Sequence, residues 1–171
     1  MRKLKFIVYL LCLSVGLTAQ SNLRIGFKGS VGTTLGSSSN AAGFELEHKF
    51  SKSLGYDFAV FHKTITAFNP VNLHFIHLPV SLKFYTQYIN VSAGLSADYF
   101  IGHSVREGYT QSSADVNPAF QLGFIGKVSK DISITKHLVL EPEVYLNPFF
   151  SGLLNDYGLA MSFKYSFNDK L

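Results

Sequence analysis

Residues 157–167 read YGLAMSFKYSF, and this stretch decides the fold class because its large and small side chains alternate strictly. The large side chains are those of Tyr157, Leu159, Met161, Phe163, Tyr165 and Phe167. The small or polar residues between them are Gly158, Ala160, Ser162, Lys164 and Ser166. A period of two over this length indicates a β-strand with one apolar and one polar face, since a helix would scatter the same residues around its circumference.

Seven earlier segments alternate in the same way, so the sequence predicts eight strands. The seven cover approximately residues 24–31, 44–50, 54–61, 77–84, 89–99, 120–128 and 138–146. The predicted connections are long at about 32–43, 63–73, 103–118 and 148–156, intermediate at 129–137, and short at 51–53 and 86–88. Short turns at one end and longer loops at the other are typical of outer-membrane barrels. The predicted fold class is all-β, an eight-stranded antiparallel up-and-down transmembrane β-barrel.

The choice between an apolar exterior and an apolar interior depends on volume. The apolar face carries about thirty large side chains, more than the interior of an eight-stranded barrel holds. The opposite face is small, and its charges are balanced. They are Arg24, Lys28, Lys49, Lys83, Lys127 and Lys164 against Glu45, Glu47, Asp57, Asp98, Glu141 and Glu143. Because an unpaired buried charge is very costly, this balance favours an ion-paired, plugged interior and an apolar surface that faces lipid.

Residues 1–19 have the features of a secretory signal peptide. Three basic residues in the first five positions precede the apolar run Phe6 to Leu17. That run is too short to cross a bilayer as a helix, which takes about twenty residues. We predict cleavage near Ala19-Gln20, so that residues 20–171 form the outer-membrane β-barrel domain.

The composition of the mature chain excludes several classes of function. The signal peptide contains the only cysteine, Cys12, so no disulfide or thiolate metal site is expected in the barrel. It also contains three of the fifteen Lys and Arg residues, which leaves twelve against eleven Asp and Glu residues. Nearly neutral charge without a basic cluster gives no reason to expect nucleic-acid binding. Charged residues make up 15% of the chain, below the roughly 25% that is usual in soluble domains.

Three stretches carry a resemblance to a known family. Residues 77–85, HLPVSLKFY, place a proline before an alternating run, and residues 90–100, NVSAGLSADYF, form a glycine-containing strand after it. With the closing strand 157–167, they resemble the small outer-membrane β-barrels of Bacteroidota that are described as PorT-like. The resemblance covers essentially the whole mature chain. It implies a barrel inserted by the outer-membrane assembly machinery, which reads the last strand, and it implies no particular activity.

No catalytic, cofactor or metal site is predicted. The histidines are His48, His62, His74, His77, His103 and His137, and no pair combines metal-ligand spacing with a carboxylate on the same face. A lipid-modifying enzyme would need a nucleophile within hydrogen-bond reach of a histidine near the outer rim. His103-Ser104, with Asp98 nearby, and His62 with Thr64 are the candidates, but adjacent residues of a strand point apart.

The leading hypothesis is a non-enzymatic protein of the cell outer membrane that stabilises the envelope or acts as an interaction or accessory component. The expected partners are outer-membrane lipid, the assembly machinery during insertion, and a protein bound through loop 102–118. A pore is disfavoured, because side chains fill the lumen of an eight-stranded barrel. Two alternatives stay open: a lipid A deacylase or acyltransferase with its site at the outer rim, and a soluble periplasmic barrel that binds a hydrophobic ligand.

Overall fold

The computed structural model describes residues 22–34, 37–66, 71–105, 120–150 and 155–167. They form nine strands: β1 (Asn22–Thr34), β2 (Ser37–Lys49), β3 (Leu54–Thr66), β4 (Val71–Tyr85), β5 (Asn90–Val105), β6 (Phe120–Ser129), β7 (Ile132–Ser133), β8 (Leu138–Asn147) and β9 (Asp156–Ser166). The predicted signal peptide lies outside the described residues. Within the described residues, no helix is long and apolar enough to cross a membrane.

The strands form one antiparallel sheet that closes on itself. Neighbours pair in the order β6-β5-β4-β3-β2-β1-β9-β8-β7, and β6 also pairs with β8. The β6–β8 ladder runs from the Gly126↔Leu146 pair to the Ser129↔Glu143 pair. Beyond it, the Phe124 amide donates a hydrogen bond of 2.9 Å to the carbonyl of Pro148, which keeps the same register. The result is an up-and-down barrel without a free edge along this seam.

The strand count differs from the predicted eight because the connection 129–137 contains the short strand β7. Ile132 and Ser133 pair with Leu140 and Val139 of β8, so a two-residue ladder forms inside this connection. Its shortness removes the alternation from which the other strands were predicted.

Two predicted outer loops are also wrong, since much of their length is strand. The segment 32–43 contains the ends of β1 and β2, which pair up to Thr34↔Ser37. The segment 63–73 likewise contains the end of β3 and the start of β4. These stretches are rich in Ser, Gly, Asn and Thr, which have weak strand signals, but pairing with neighbours on both sides overrides local propensity. In the predicted partner loop 102–118, residues 102–105 belong to β5 and the rest lies outside the described residues.

The two faces of the sheet have the predicted orientation. In β9, Phe163 is 52% exposed, whereas the neighbouring Ser162 and Lys164 are each 1% exposed. The same alternation of exposed apolar and buried polar residues runs through β3, β6 and β8. The interior is therefore the polar face, and the outer wall is the apolar one.

Glycine is needed where neighbouring strands leave no room for a side chain. A Cβ added to Gly94 would lie 2.0 Å from the carbonyl oxygen of Val80 and 2.5 Å from the Cα of Ser81. Gly126, by contrast, has no heavy atom within 4 Å of an added Cβ. The two positions lie in paired strands, Gly94 on the inward face and Gly126 on the outward face, and they differ in the room left for a side chain.

The Gly94→Val variant is expected to lower the free energy of unfolding by about 1–3 kcal/mol, because the added atoms must displace backbone. The Gly126→Val control is expected to cost nothing, since valine favours strands and finds open space there. Urea unfolding of both variants in lipid vesicles measures the difference. Equal stability of the two variants would contradict this packing of the wall.

Candidate functional site

The interior is dominated by ion pairs that converge on Glu47 of β2. Its carboxylate accepts hydrogen bonds from Arg24 Nη1 at 2.9 Å, from Lys83 Nζ at 2.7 Å and from Lys164 Nζ at 2.6 Å. These donors come from β1, β4 and β9, because strands around a closed sheet point alternate residues toward one axis. Glu47 is 0% exposed. Three cations from three strands are thus held by one buried carboxylate.

The cluster extends around Glu47 into a continuous set of charges, which we call the lower network. Its members are Arg24, Lys28, Glu45, Glu47, Lys83, Asp131, Glu141, Glu143 and Lys164. Lys164 also donates to Glu45 at 3.1 Å, and Lys83 donates to Glu141 at 2.5 Å. The network lies at the end of the barrel that carries the turns at 50–53 and 86–89, here called the turn end.

Neutral donors also form hydrogen bonds to the buried carboxylates. Ser162 donates to Glu45 at 2.8 Å, and Ser81 donates to Asp57 at 2.8 Å. Lys127 also pairs with Asp57. Such satisfaction of the remaining lone pairs is what allows buried charges to be tolerated.

The three carboxylates of Glu45, Glu47 and Glu141 come within 4.8 Å of one another, as metal ligands would. The ammonium groups of Lys83 and Lys164 already lie among them, at hydrogen-bond distance from their oxygens. Two lysines take the place that a cation would occupy. The arrangement is therefore an internal salt-bridge cluster of the described interior, and its chemistry does not favour a metal ion.

A second group of charges lies closer to the opposite end of the barrel, here called the loop end. Lys63 Nζ is 2.8 Å from Asp156 and 3.3 Å from Asp98, and His77 Nδ1 also pairs with Asp98. Ser39 donates to Asp156 at 2.8 Å. Sequence reasoning missed Lys63 and Asp156 as interior charges, because it assigned both to outer loops. Asp98 was expected on the small face, and the structure places it there.

Between the two groups, the free space in the barrel is small. The cavity has a volume of about 30 Å³ and is lined in part by Lys28, Lys63, His77, Lys127, Glu143 and Tyr145. This volume accommodates about two water-sized molecules. Nearer the loop end, the interior is filled by Phe61, Ile65 and Phe75, of which Phe75 is 0% exposed. Paired charges and buried apolar side chains therefore occupy much of the described interior.

The outer wall is a wide apolar surface. Phe44 is 69% exposed, Leu146 60% and Phe124 54%, and large apolar residues are exposed on strands all around the barrel. Soluble monomers rarely expose a contiguous apolar patch of more than a few hundred Å². Together with the charged interior, this surface is the reverse of a soluble barrel and matches the lipid-facing band of a transmembrane one.

The outward face at the loop end brings together three polar side chains from β3, β4 and β5. His74 Nε2 lies 2.9 Å from Ser104 Oγ, and His74 Nδ1 lies 3.2 Å from Thr64 Oγ1. The ring of His62 stacks on that of His74 with 5.4 Å between centroids.

The pairs considered from sequence are not the ones that form. Ser104 bonds to His74 instead of the adjacent His103, and Thr64 bonds to His74 instead of His62. Asp98 lies inside the barrel, on Lys63 and His77. Sequence alone showed no signal for His74, because the contact depends on register across three strands.

A closed antiparallel sheet with a charged interior and an apolar wall defines the class of small outer-membrane β-barrels. No family model matches the chain. No curated protein matches it either. Similar solved structures include the outer membrane protein OprG from Pseudomonas aeruginosa, with 12% identity, a TM-score of 0.58, and coverage of 86% of this chain and 96% of that one.

Two other similar structures share this class. The N-terminal β-barrel domain of Pseudomonas aeruginosa OprF has 9% identity, a TM-score of 0.57, and coverage of 86% of this chain and 100% of that one. AlkL, solved in DMPC lipid bilayers, has 12% identity, a TM-score of 0.54, and coverage of 87% of this chain and 91% of that one. At this identity the likeness establishes the fold, and it agrees with the outer-membrane location predicted from sequence.

Proposed function

We propose that the chain is an integral protein of the outer membrane whose interior is closed and whose functional surfaces are its outer wall and loop end. The observation that carries the proposal is the distribution of charge. Lys83 and Lys164 are each 1% exposed inside the barrel, whereas Leu159 and Leu146 on the wall are each 60% exposed. In water this arrangement would leave the apolar wall exposed, and in lipid it buries that wall.

A soluble barrel for a hydrophobic ligand fits the same residues less well. Such a protein needs an apolar cavity of about 300–1,000 Å³. The internal cavity of about 30 Å³ is far smaller, and it is bordered by lysines and acids. The apolar face is therefore assigned to lipid.

We further infer that the spanning barrel has eight strands, with β7 as part of a connection at the turn end. The direct pairing of β6 with β8 supports this inference, since β7 is not needed to close the sheet. Stretches 77–85, 90–100 and 157–167 support membership of the PorT-like barrels of Bacteroidota. The basic residues and apolar run of residues 1–19 support export by a signal peptide. Insertion by the outer-membrane assembly machinery is what membership of that family implies.

Within the envelope, the proposed role is structural or accessory, with a protein partner at loop 102–118. The plugged interior supports this role over transport through the lumen. The charges of the lower network link β1, β2, β4, β8 and β9, so they brace the wall from within.

The closed interior predicts the absence of a stable pore. Purified protein in liposomes is expected to give no swelling with small sugars, because paired charges and Phe75 fill the lumen. A large general porin in matched liposomes serves as the positive control. Sugar uptake that depends on the folded protein would contradict the proposal of a plugged barrel.

A further inference from the structure

We propose that Ser104, His74 and Thr64 form an acyl-transfer site on the outer wall, with Ser104 as nucleophile and the acyl ester of a membrane lipid as substrate. The geometry meets the requirements for an activated serine. The base lies within hydrogen-bond reach of the nucleophile, at 2.9 Å, and a third group at 3.2 Å orients the base. The lipid as substrate rests on the proposed membrane location.

The pairing depends on an irregularity in the wall. The β4–β5 register shifts between His74 and Phe75, so that Phe75 pairs with Phe100 while His74 pairs with Gly102. Ile101 is the extra residue. Without this bulge, His103 would occupy the outward position and Ser104 would point into the barrel, since the side-chain period of a strand is two. The bulge therefore places Ser104 beside His74, as bulges near active sites re-aim side chains.

The exposure of the three side chains suits their roles. Ser104 is exposed, so a substrate can approach its Oγ, whereas His74 and Thr64 are half-buried. The ring of His62 stacks on His74 and restricts its rotation. With the His74 proton on Nδ1, that nitrogen donates to Thr64 Oγ1, and Nε2 accepts the hydroxyl proton of Ser104.

The position along the wall indicates the substrate class. On β3 the outward residues change from Val60, which is 41% exposed, to the polar His62 and Thr64. On β4 they change from Ile76 to His74, one outward position nearer the loop end than on β3, as the His62↔Ile76 and Thr64↔His74 pairs show. An acyl chain packed on the apolar wall would thus present its ester linkage at the height of Ser104. Outer-membrane lipids carry their acyl esters at this boundary between chain and headgroup.

The proposed reaction is ordinary acyl transfer. Ser104 Oγ bonds to the ester carbonyl carbon, its proton passes to His74 Nε2, and the carbonyl π pair moves to oxygen. The intermediate collapses as the bond from carbon to the alkoxy oxygen breaks, and that oxygen takes the proton from His74. Water then attacks the acyl-serine with His74 as base, the bond to Ser104 Oγ breaks, and the proton returns to Oγ. A fatty acid and an alcohol are released.

The test uses the full chain in outer-membrane vesicles with a fluorophosphonate probe, which phosphonylates activated serines with loss of fluoride. We expect labelling at Ser104 by mass spectrometry and its complete loss in Ser104→Ala. His74→Gln is expected to slow labelling about 100-fold, the usual contribution of a general base. His103→Gln is the matched control and is expected to label at the normal rate. Absence of labelling at Ser104, or an unchanged rate in His74→Gln, would overturn the site.

Thr64 is a positioning residue, so it needs a readout that a purely structural role would not move. Thr64→Val is expected to slow labelling about tenfold through loss of one hydrogen bond, and Thr64→Ser is expected to restore it. Failure of serine to rescue would contradict the role assigned to Thr64.

The substrate class is tested with phosphatidylethanolamine vesicles. We expect fatty acid release by the natural chain and none by Ser104→Ala. Labelling at Ser104 without fatty acid release would overturn the lipid as substrate. Gel mobility of the same unheated samples distinguishes the two proposals. A folded barrel that is not labelled would contradict only the acyl-transfer site. An unfolded or soluble protein would contradict the membrane location.

Discussion

Replacing Glu47 with alanine is expected to lower the free energy of unfolding by about 3–5 kcal/mol, the cost of breaking a buried ion pair by removing one partner. The carboxylate accepts hydrogen bonds from Arg24, Lys83 and Lys164, and its removal leaves these three cations competing for fewer acids. Urea unfolding in lipid vesicles measures the loss. A barrel held mainly by its backbone ladder would not show an effect of this size.

Asp131→Asn provides the matched control for Glu47. Asp131 also pairs with Arg24, at 2.5 Å, but its side chain is 24% exposed and solvent screens the pair. We expect this substitution to cost about 1 kcal/mol or less. Equal losses in the two variants would contradict a lower network centred on Glu47.

Replacing Leu95 with arginine is expected to lower the stability of the membrane-inserted barrel by about 2–4 kcal/mol. Leu95 is 55% exposed and lies opposite Val80 and Phe124, midway along the apolar run between Val91 and Tyr99. A charge at this height faces the centre of the lipid band. The loss is measured as the change in unfolding free energy in phosphatidylcholine vesicles.

The control for Leu95 is an arginine at the loop end of the wall. Ser38 is exposed at the start of β2, where the Thr33↔Ser38 pair lies near the end of the ladder. Ser38→Arg is expected to cost between zero and about 1 kcal/mol, since arginine near the interface reaches water. If Leu95→Arg were as mild as Ser38→Arg, the wall would face water instead of lipid.

The inside and outside of the barrel were predictable from sequence because the period of a strand is fixed. Arg24, Glu47 and Lys164 alternate with large apolar residues, and a volume argument alone places them inside. The structure buries all three. The face on which a residue lies does not depend on the register between strands.

The partners of those charges were not predictable, because they depend on register and strand length. Lys63 pairs with Asp156, 93 positions later in the chain, and both lie in segments with weak strand signals. Lys49 was expected in the interior set of charges, and its Nζ lies 4.3 Å from the centroid of the Tyr85 ring. No local sequence pattern predicts such contacts between strands.

The polar cluster at the outer rim is a second case in which the contacts could not be predicted from sequence. Residues that are close in the chain, such as His103 and Ser104, point apart on a strand and do not predict a dyad. The contact between Ser104 and His74 arises from a one-residue bulge in β5, which reverses the side to which Ser104 points. A bulge of this kind has no signature in a single sequence beyond the nearby Gly102.

The most direct test of the membrane barrel is a comparison of unheated and boiled outer-membrane fractions on a detergent gel. Closed barrels keep their ladder of hydrogen bonds in detergent until heated, so we expect the unheated protein to migrate differently from the boiled one. The shift should appear in the outer-membrane fraction and persist after a carbonate wash. Recovery of the protein in the soluble periplasm, with the same mobility before and after boiling, would contradict the account.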